Sequence, residues 1–236
     1  MSRLVVVTGG GGGIGRAIVE QFRALGATVV AVGRGGSPVD EVCDVTDEGE
    51  VVALFGRLGE VDVLVNGAGV GESEPLQRTT LEQWQRHLDV NATSAFLCTR
   101  AVLPGMVARN RGRIITVAST AALVGARYTA AYSASKHAAV GLMRSVATEV
   151  AGTGVTANAV CPGYVRTPMT ERTIARIVER TGRSAEESSA ALVATQPLGR
   201  LVEPAEVAAA VVYAASDDAA ALNGQTLVLD GGGISR

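Results

Sequence analysis

The chain has 236 residues, 47% of them hydrophobic and 19% charged, with a formal net charge of -2. That balance excludes a disordered chain, gives no electrostatic basis for a nucleic-acid partner, and predicts one domain over 1–236 with a sizeable core. No stretch reaches the ~18 apolar residues of a membrane span. MSRLVVVTGG runs straight into a strand pattern and leaves no room for a signal peptide, so the expectation is a cytoplasmic protein without membrane contact.

In chain order, LVVVT at 4–8 is a short β-branched run, as expected of a strand buried on both faces of a parallel sheet. Apolar residues at helical spacing follow over 14–25, and Gly26 closes that helix. TVVAVG at 28–33 is a second strand, and a short third one ends at Asp44. The next is at 61–65, leading into the turn cluster Asn66-Gly67-Ala68-Gly69. One long helical pattern covers 81–107, with Pro104-Gly105 expected to kink or break it. Strands at 113–119 and 155–160 flank a helix at 130–151. A polar, mobile-looking insertion is expected at about 167–198, before a helix at 204–215 and a strand at 226–230. This alternation predicts an α/β fold, a doubly wound parallel sheet with helices on both faces. Ligands of such sheets sit beyond the carboxyl ends of the strands. The glycine clusters, Ser119 and Pro162-Gly163 all fall there.

Thr8-Gly9-Gly10-Gly11-Gly12-Gly13-Ile14-Gly15 links the first strand to the first helix. Glycines let backbone approach a pyrophosphate whose charge the helix N-terminus meets, so this loop predicts dinucleotide binding. At the end of the second strand an acid would bond the adenosine ribose, but the sequence reads Gly33-Arg34. An arginine can pair with a 2′-phosphate, which favours NADP(H) over NAD(H); the alternative is a plain surface arginine. Asp44 is read either as an acceptor for the adenine amino group or as a helix cap. Cys43, Cys98 and Cys161 are scattered and suit buried thiols. With only His87 and His137 besides, no metal site is expected.

Lys136 is the only lysine among 21 basic residues, and it stands four residues after Tyr132 in YSASK. On a helix this spacing puts both side chains on one face. A phenol titrates near 10, and a neighbouring ammonium would lower that value toward the range of an acid–base group.

Here the sequence resembles the short-chain dehydrogenase/reductase family over nearly its whole length. The resemblance is carried by TGGGGGIG at 8–15, NGAG at 66–69, Asn91 in DVNATS, Ser119, YSASK at 132–136 and CPGYVRTPM at 161–169. It implies a single-domain, Rossmann-like oxidoreductase in which Tyr132 exchanges a proton with the substrate oxygen and Ser119 polarises the carbonyl. Lys136 would bind the nicotinamide ribose and lower the Tyr132 pKa, and Asn91 would hold a helix distortion and a proton-relaying water. With the glycine loop, the expected cofactor contacts are Thr8, Gly9, Gly12, Gly13, Ile14, Gly15, Arg34, Asp44, Val45, Asn66, Ala68, Gly69, Tyr132, Lys136, Pro162, Gly163, Val165 and Thr167. Two departures stand out. The family's Asn-Asn-Ala-Gly reads Asn66-Gly67-Ala68-Gly69, for which a local adjustment is expected. The eight residues between Arg34 and Cys43 leave a short crossover helix or none.

Within the family the chain looks most like 3-oxoacyl thioester reductases, which act on CoA or carrier-protein substrates, and like polyketide ketoreductases. Its alternative is NAD-dependent oxidation of a 3-hydroxy acid or other secondary alcohol. A protein that binds NADP without turnover would be expected to lack an intact Tyr–Lys–Ser set. Arg166, Arg172, Arg176, Arg180, Arg183 and Arg200 either steer a phosphopantetheine or lie on solvated faces balanced by Glu171, Glu179, Glu186 and Glu187. The family resemblance implies a homotetramer. Ala138, Ala139, Gly141 and Ala147 would permit close helix packing, between chains or against the chain's own sheet.

Overall fold

The computed structural model describes residues 3–36 and 38–234, so Met1 and Ser2 of the opening stretch lie outside the described residues. Seven parallel strands form one sheet: β1 Leu4–Thr8, β2 Thr28–Gly33, β3 Glu41–Val42, β4 Val63–Asn66, β5 Gly112–Val117, β6 Val155–Pro162 and β7 Thr226–Leu229. Their spatial order is β3-β2-β1-β4-β5-β6-β7, so the winding reverses between β1 and β4. Parallel neighbours need crossovers, and helices supply most of them. These are α1 Gly13–Ala24, α2 Glu48–Leu58, α3 Leu81–Leu88, α4 Ser94–Ala108, α5 Ala130–Glu149, α6 Pro168–Thr181, α7 Ala185–Val193 and α8 Pro204–Ala215. Among the described residues between β2 and β3 no helix forms, as the short spacing implies.

Strand side chains alternate between faces, and so two cores form. Val6, Leu64 and Ile114 point to α2, α4 and α5, where they meet Leu54, Met106 and Met143. Val5, Val7, Val65 and Ile115 point to α1 and α8, against Ile18, Phe22 and Val211. All three cysteines are buried and unpaired, and burial pushes the Cys98 thiol up to about 12.

Three sequence expectations change. Pro104 lies inside α4 without ending it. The break in the long 81–107 pattern falls instead at Asp89–Thr93, a π turn holding Asn91. The insertion at 167–198 folds into α6 and α7, started by caps at Thr167 and Ser184, with the left-handed Gly182 ending α6. Its local signals were helical: Pro168 in the first turn, and Ser184 with Glu187 as a reciprocal cap. Of the small α5 residues, Ala139 and Ala147 pack into the core, while Ala138 and Gly141 face outward.

The approach to β7 is set by a buried amide. Asn158, fully buried in β6, donates to the Leu222 carbonyl at 2.8 Å and accepts from the Gln225 N–H at 3.0 Å. Asn158→Leu removes both bonds at once. We expect it to cost about 1–3 kcal/mol, seen as a lower urea midpoint with an unchanged slope.

Candidate active site

Register brings the strand ends together. Thr8 pairs with Val32 on one side and Asn66 on the other, so the loops after β1, β2 and β4 leave the same edge. The Thr8 hydroxyl accepts from the Gly67 and Ala68 N–H groups at 3.1 and 3.2 Å. Gly15 packs so closely on the loop that a Cβ there would lie 2.1 Å from the Gly9 carbonyl oxygen. The α1 N-cap is Gly12, and the first turn holds no acid, so neither a capping side chain nor a carboxylate competes for its N–H groups. Gly9, Gly11, Gly12, Gly33, Arg34 and Gly35 line an open cleft of about 420 Å³. An uncapped helix start above a side-chain-free cradle fits a dinucleotide pyrophosphate. Thr167 lies 3.4 Å from where a Gly13 Cβ would be, so Gly13 faces the residue that starts α6. Gly163 donates to the Leu229 carbonyl, and Val165 bridges to Val202.

Asp44 is not a helix cap: Asp47 accepts from Glu50 N–H and starts α2. Asp44 Oδ1 instead takes both the hydroxyl and the N–H of Thr46, bonds that with the Arg34 charge hold its carboxyl below the usual range. Val45 is buried among core residues, which leaves its backbone alone for any ligand. Asn66 donates to the Thr99 hydroxyl at 3.1 Å, and its own carbonyl oxygen is buried without a partner among the described residues. Nothing in the sequence pattern singled out Thr99.

The second half of the site is built on α5. Tyr132 and Lys136 share one face of its first turns. Ser119, at the end of the segment leaving β5, accepts from the Ala121 N–H at 3.1 Å and lies near enough to Tyr132 to lower its pKa. Lys136 is 6% exposed, and its Nζ donates to the Val117 carbonyl at 3.0 Å. Asn91 accepts from the Val70 N–H at 2.8 Å and donates to the Val70 carbonyl and to Ser135 Oγ, both at 2.9 Å. Gly69 sits between them: a Cβ there would lie 3.2 Å from Asn91 Oδ1 and 3.4 Å from Lys136 Nζ.

Here the electrostatics depart from the sequence expectation. Burial pushes the Tyr132 phenol above its ordinary value, with the nearby Ser119 opposing that shift. Burial also pulls Lys136 down to about 8. The ammonium lies 5.9 Å from the phenol ring centroid and gives its bond to a backbone carbonyl, and at the phenol desolvation is the largest effect. Tyr132 therefore holds its proton at neutral pH.

The arginines divide into two sets. Arg166, Arg180 and Arg200 are paired with Glu203, Glu74 and Glu206 at 2.8, 2.5 and 2.7 Å. These are not the partners expected from sequence, since Glu187 is spent capping α7; Arg183 is exposed after α6. Arg172 and Arg176 instead join Arg86 around a pocket of about 150 Å³ beside Gly69–Ser73, where Arg176 donates to the Ser73 carbonyl at 3.3 Å.

Comparison with known proteins agrees with this geometry. The family model described as enoyl-(acyl carrier protein) reductase matches residues 10–233. The 3-oxoacyl-[acyl-carrier-protein] reductase FabG of Escherichia coli (strain K12) is 34% identical, covering 98% of this chain and 96% of that protein. The D-beta-hydroxybutyrate dehydrogenase of Rhizobium meliloti (strain 1021) is 36% identical, covering 98% of each. The solved structure of a point variant of actinorhodin polyketide ketoreductase with NADPH superposes with a TM-score of 0.92 at 36% identity, covering 98% of this chain and 97% of that one.

Gly67 explains the departure from the Asn-Asn-Ala-Gly pattern. A Cβ there would lie 2.6 Å from the Thr8 carbonyl oxygen, too close for any side chain unless the backbone shifts. Gly67→Asn is expected to cost about 1–3 kcal/mol by overpacking, measured as a fall in Tm, and to weaken dinucleotide binding in the same preparation.

Proposed function

The chain belongs to the short-chain dehydrogenase/reductase family of oxidoreductases acting on CH–OH and C=O groups, and from this premise we propose that it reduces a 3-oxoacyl thioester with NADP(H) to the secondary alcohol. The observation that carries the reading is the convergence of Tyr132, Ser119, Lys136 and Asn91 beside the glycine cleft. The nicotinamide supplies hydride when bound. Tyr132 gives its proton to the carbonyl oxygen as that oxygen gains charge, and Ser119, beside the phenol, orients the same oxygen. Lys136 holds the ribose hydroxyls, with its ammonium fixed by Val117. Asn91 fixes Val70 and the start of α5 around them. Thr8, Gly12, Gly13, Ile14 and Gly15 receive the pyrophosphate, and Asn66, Ala68 and Gly69 border the nicotinamide half with Pro162, Gly163, Val165 and Thr167.

Arg34 is the determinant for a 2′-phosphate, because its fork of donors matches that group. Arg172 and Arg176 meet the phosphates of a CoA or carrier-protein arm, supported by their place on the pocket beside Gly69–Ser73. The same proposal includes a cytoplasmic homotetramer packed through α4 and α5, supported by the outward Ala138 and Gly141 and by Phe96, 41% exposed.

Initial rates at 340 nm with acetoacetyl-CoA test the reading. NADPH is expected to be consumed faster than NADH, and Tyr132→Phe to lose about 10²–10⁴-fold in rate. Replacing Arg34 by Ala should raise KM for NADPH about tenfold, one lost charge-assisted contact, while KM for NADH stays put. Replacing Arg172 and Arg176 together should raise KM for acetoacetyl-CoA but not for a neutral ketone. Turnover with NADH alone would remove the Arg34 argument and put oxidation of a 3-hydroxy acid first.

A further inference from the structure

α3 buries His87, which is 3% exposed and has no part in the roles above. Both ring nitrogens face fixed partners. Nδ1 lies 2.8 Å from the Gln83 carbonyl oxygen, which can only accept, so Nδ1 carries the proton. Nε2 then keeps its lone pair and accepts from the Glu72 N–H at 3.2 Å. These two bonds define one neutral tautomer.

The imidazole also touches the reaction centre. It meets the Tyr132 ring edge to face, with centroids 6.3 Å apart and planes at 75°. The segment it holds passes against the same phenol: a Cβ at Gly71 would lie 3.4 Å from Tyr132 Cε2. We propose that His87 is a positioning residue for Tyr132, its neutral ring pinning Glu72, and through it Gly71, against the phenol while bracing the phenol's edge. This rests on the reading of Tyr132 as proton donor.

The test compares wild type, His87→Gln, His87→Leu and Tyr132→Phe as untagged full chains at one neutral pH. The rates use NADPH with acetoacetyl-CoA, or with another ketone that the wild type reduces. Glutamine offers an acceptor oxygen in place of Nε2. His87→Leu is expected to lower kcat about tenfold with KM for NADPH nearly unchanged, the pattern of an interaction that acts on the chemical step. His87→Gln should restore at least about a third of the wild-type kcat. A Gln variant as slow as that tenfold loss, or a Leu variant with wild-type kcat, overturns the proposal. If the Leu variant does not fold, the kcat of the Gln variant decides alone. Full activity in Tyr132→Phe would instead overturn the assignment of Tyr132, a separate outcome.

Discussion

The hydrogen bonds of the Asn91 carboxamide tie three segments distant in sequence into one frame. A π turn leaves backbone groups out of the regular i→i−4 ladder and turns residues by an altered angle. Within it, Asn91 is directed across to Val70, whose N–H and carbonyl it both satisfies, and to Ser135. Val70 fixes the loop leaving β4, and Ser135 fixes the turn of α5 between Tyr132 and Lys136. A buried amide with all these partners is rigid, because breaking any one bond leaves a polar group unsatisfied. The geometry of the phenol, the ammonium and Gly69 follows from it.

The sheet supplies the other half of that frame. The winding reverses between β1 and β4, so the loops after those strands diverge and leave a crevice that no crossover fills. Thr8 closes its floor by binding two N–H groups of the opposite loop. Close approach of the backbones demands glycine at Gly15 and Gly67. The departure at Gly67 is thus a packing solution: the chain brings backbone to backbone where a side chain would otherwise stand.

Much of this was legible in the residues because it rests on local periodicity. Short β-branched runs marked β1, β2, β5 and β6, and the spacing of Tyr132 and Lys136 placed both on one helix face. What was not legible depended on contacts across the fold. The eye falls on Pro104 as the helix breaker, but an established helix with side-chain packing accepts it, while the π turn at Asp89–Thr93 has no composition of its own. The arginines of α6 were matched to nearby glutamates in sequence, yet Arg180 reaches Glu74, 106 positions away. His87 was visible only as a histidine too scarce for a metal site. A polar side chain within three residues of Trp84 and beside Leu88 was the one available sign that it would be buried.

The pKa directions at Tyr132 and Lys136 have one cause with two consequences. Burial penalises charge, so the acid is pushed up and the base down, and both move toward neutral forms. For Lys136 the drop from 10.5 to about 8 means that the unfolded chain binds more protons between those values, so stability rises with pH across that window. Below it, the buried ammonium costs the fold roughly 3 kcal/mol. The Tyr132 shift has the opposite sense and opposes folding only above the ordinary phenol range. At neutral pH the site therefore carries an unfavourable cation and a protonated phenol. An anionic group brought into the cleft would repay part of that cost, because it favours the charged lysine and binds only the folded chain.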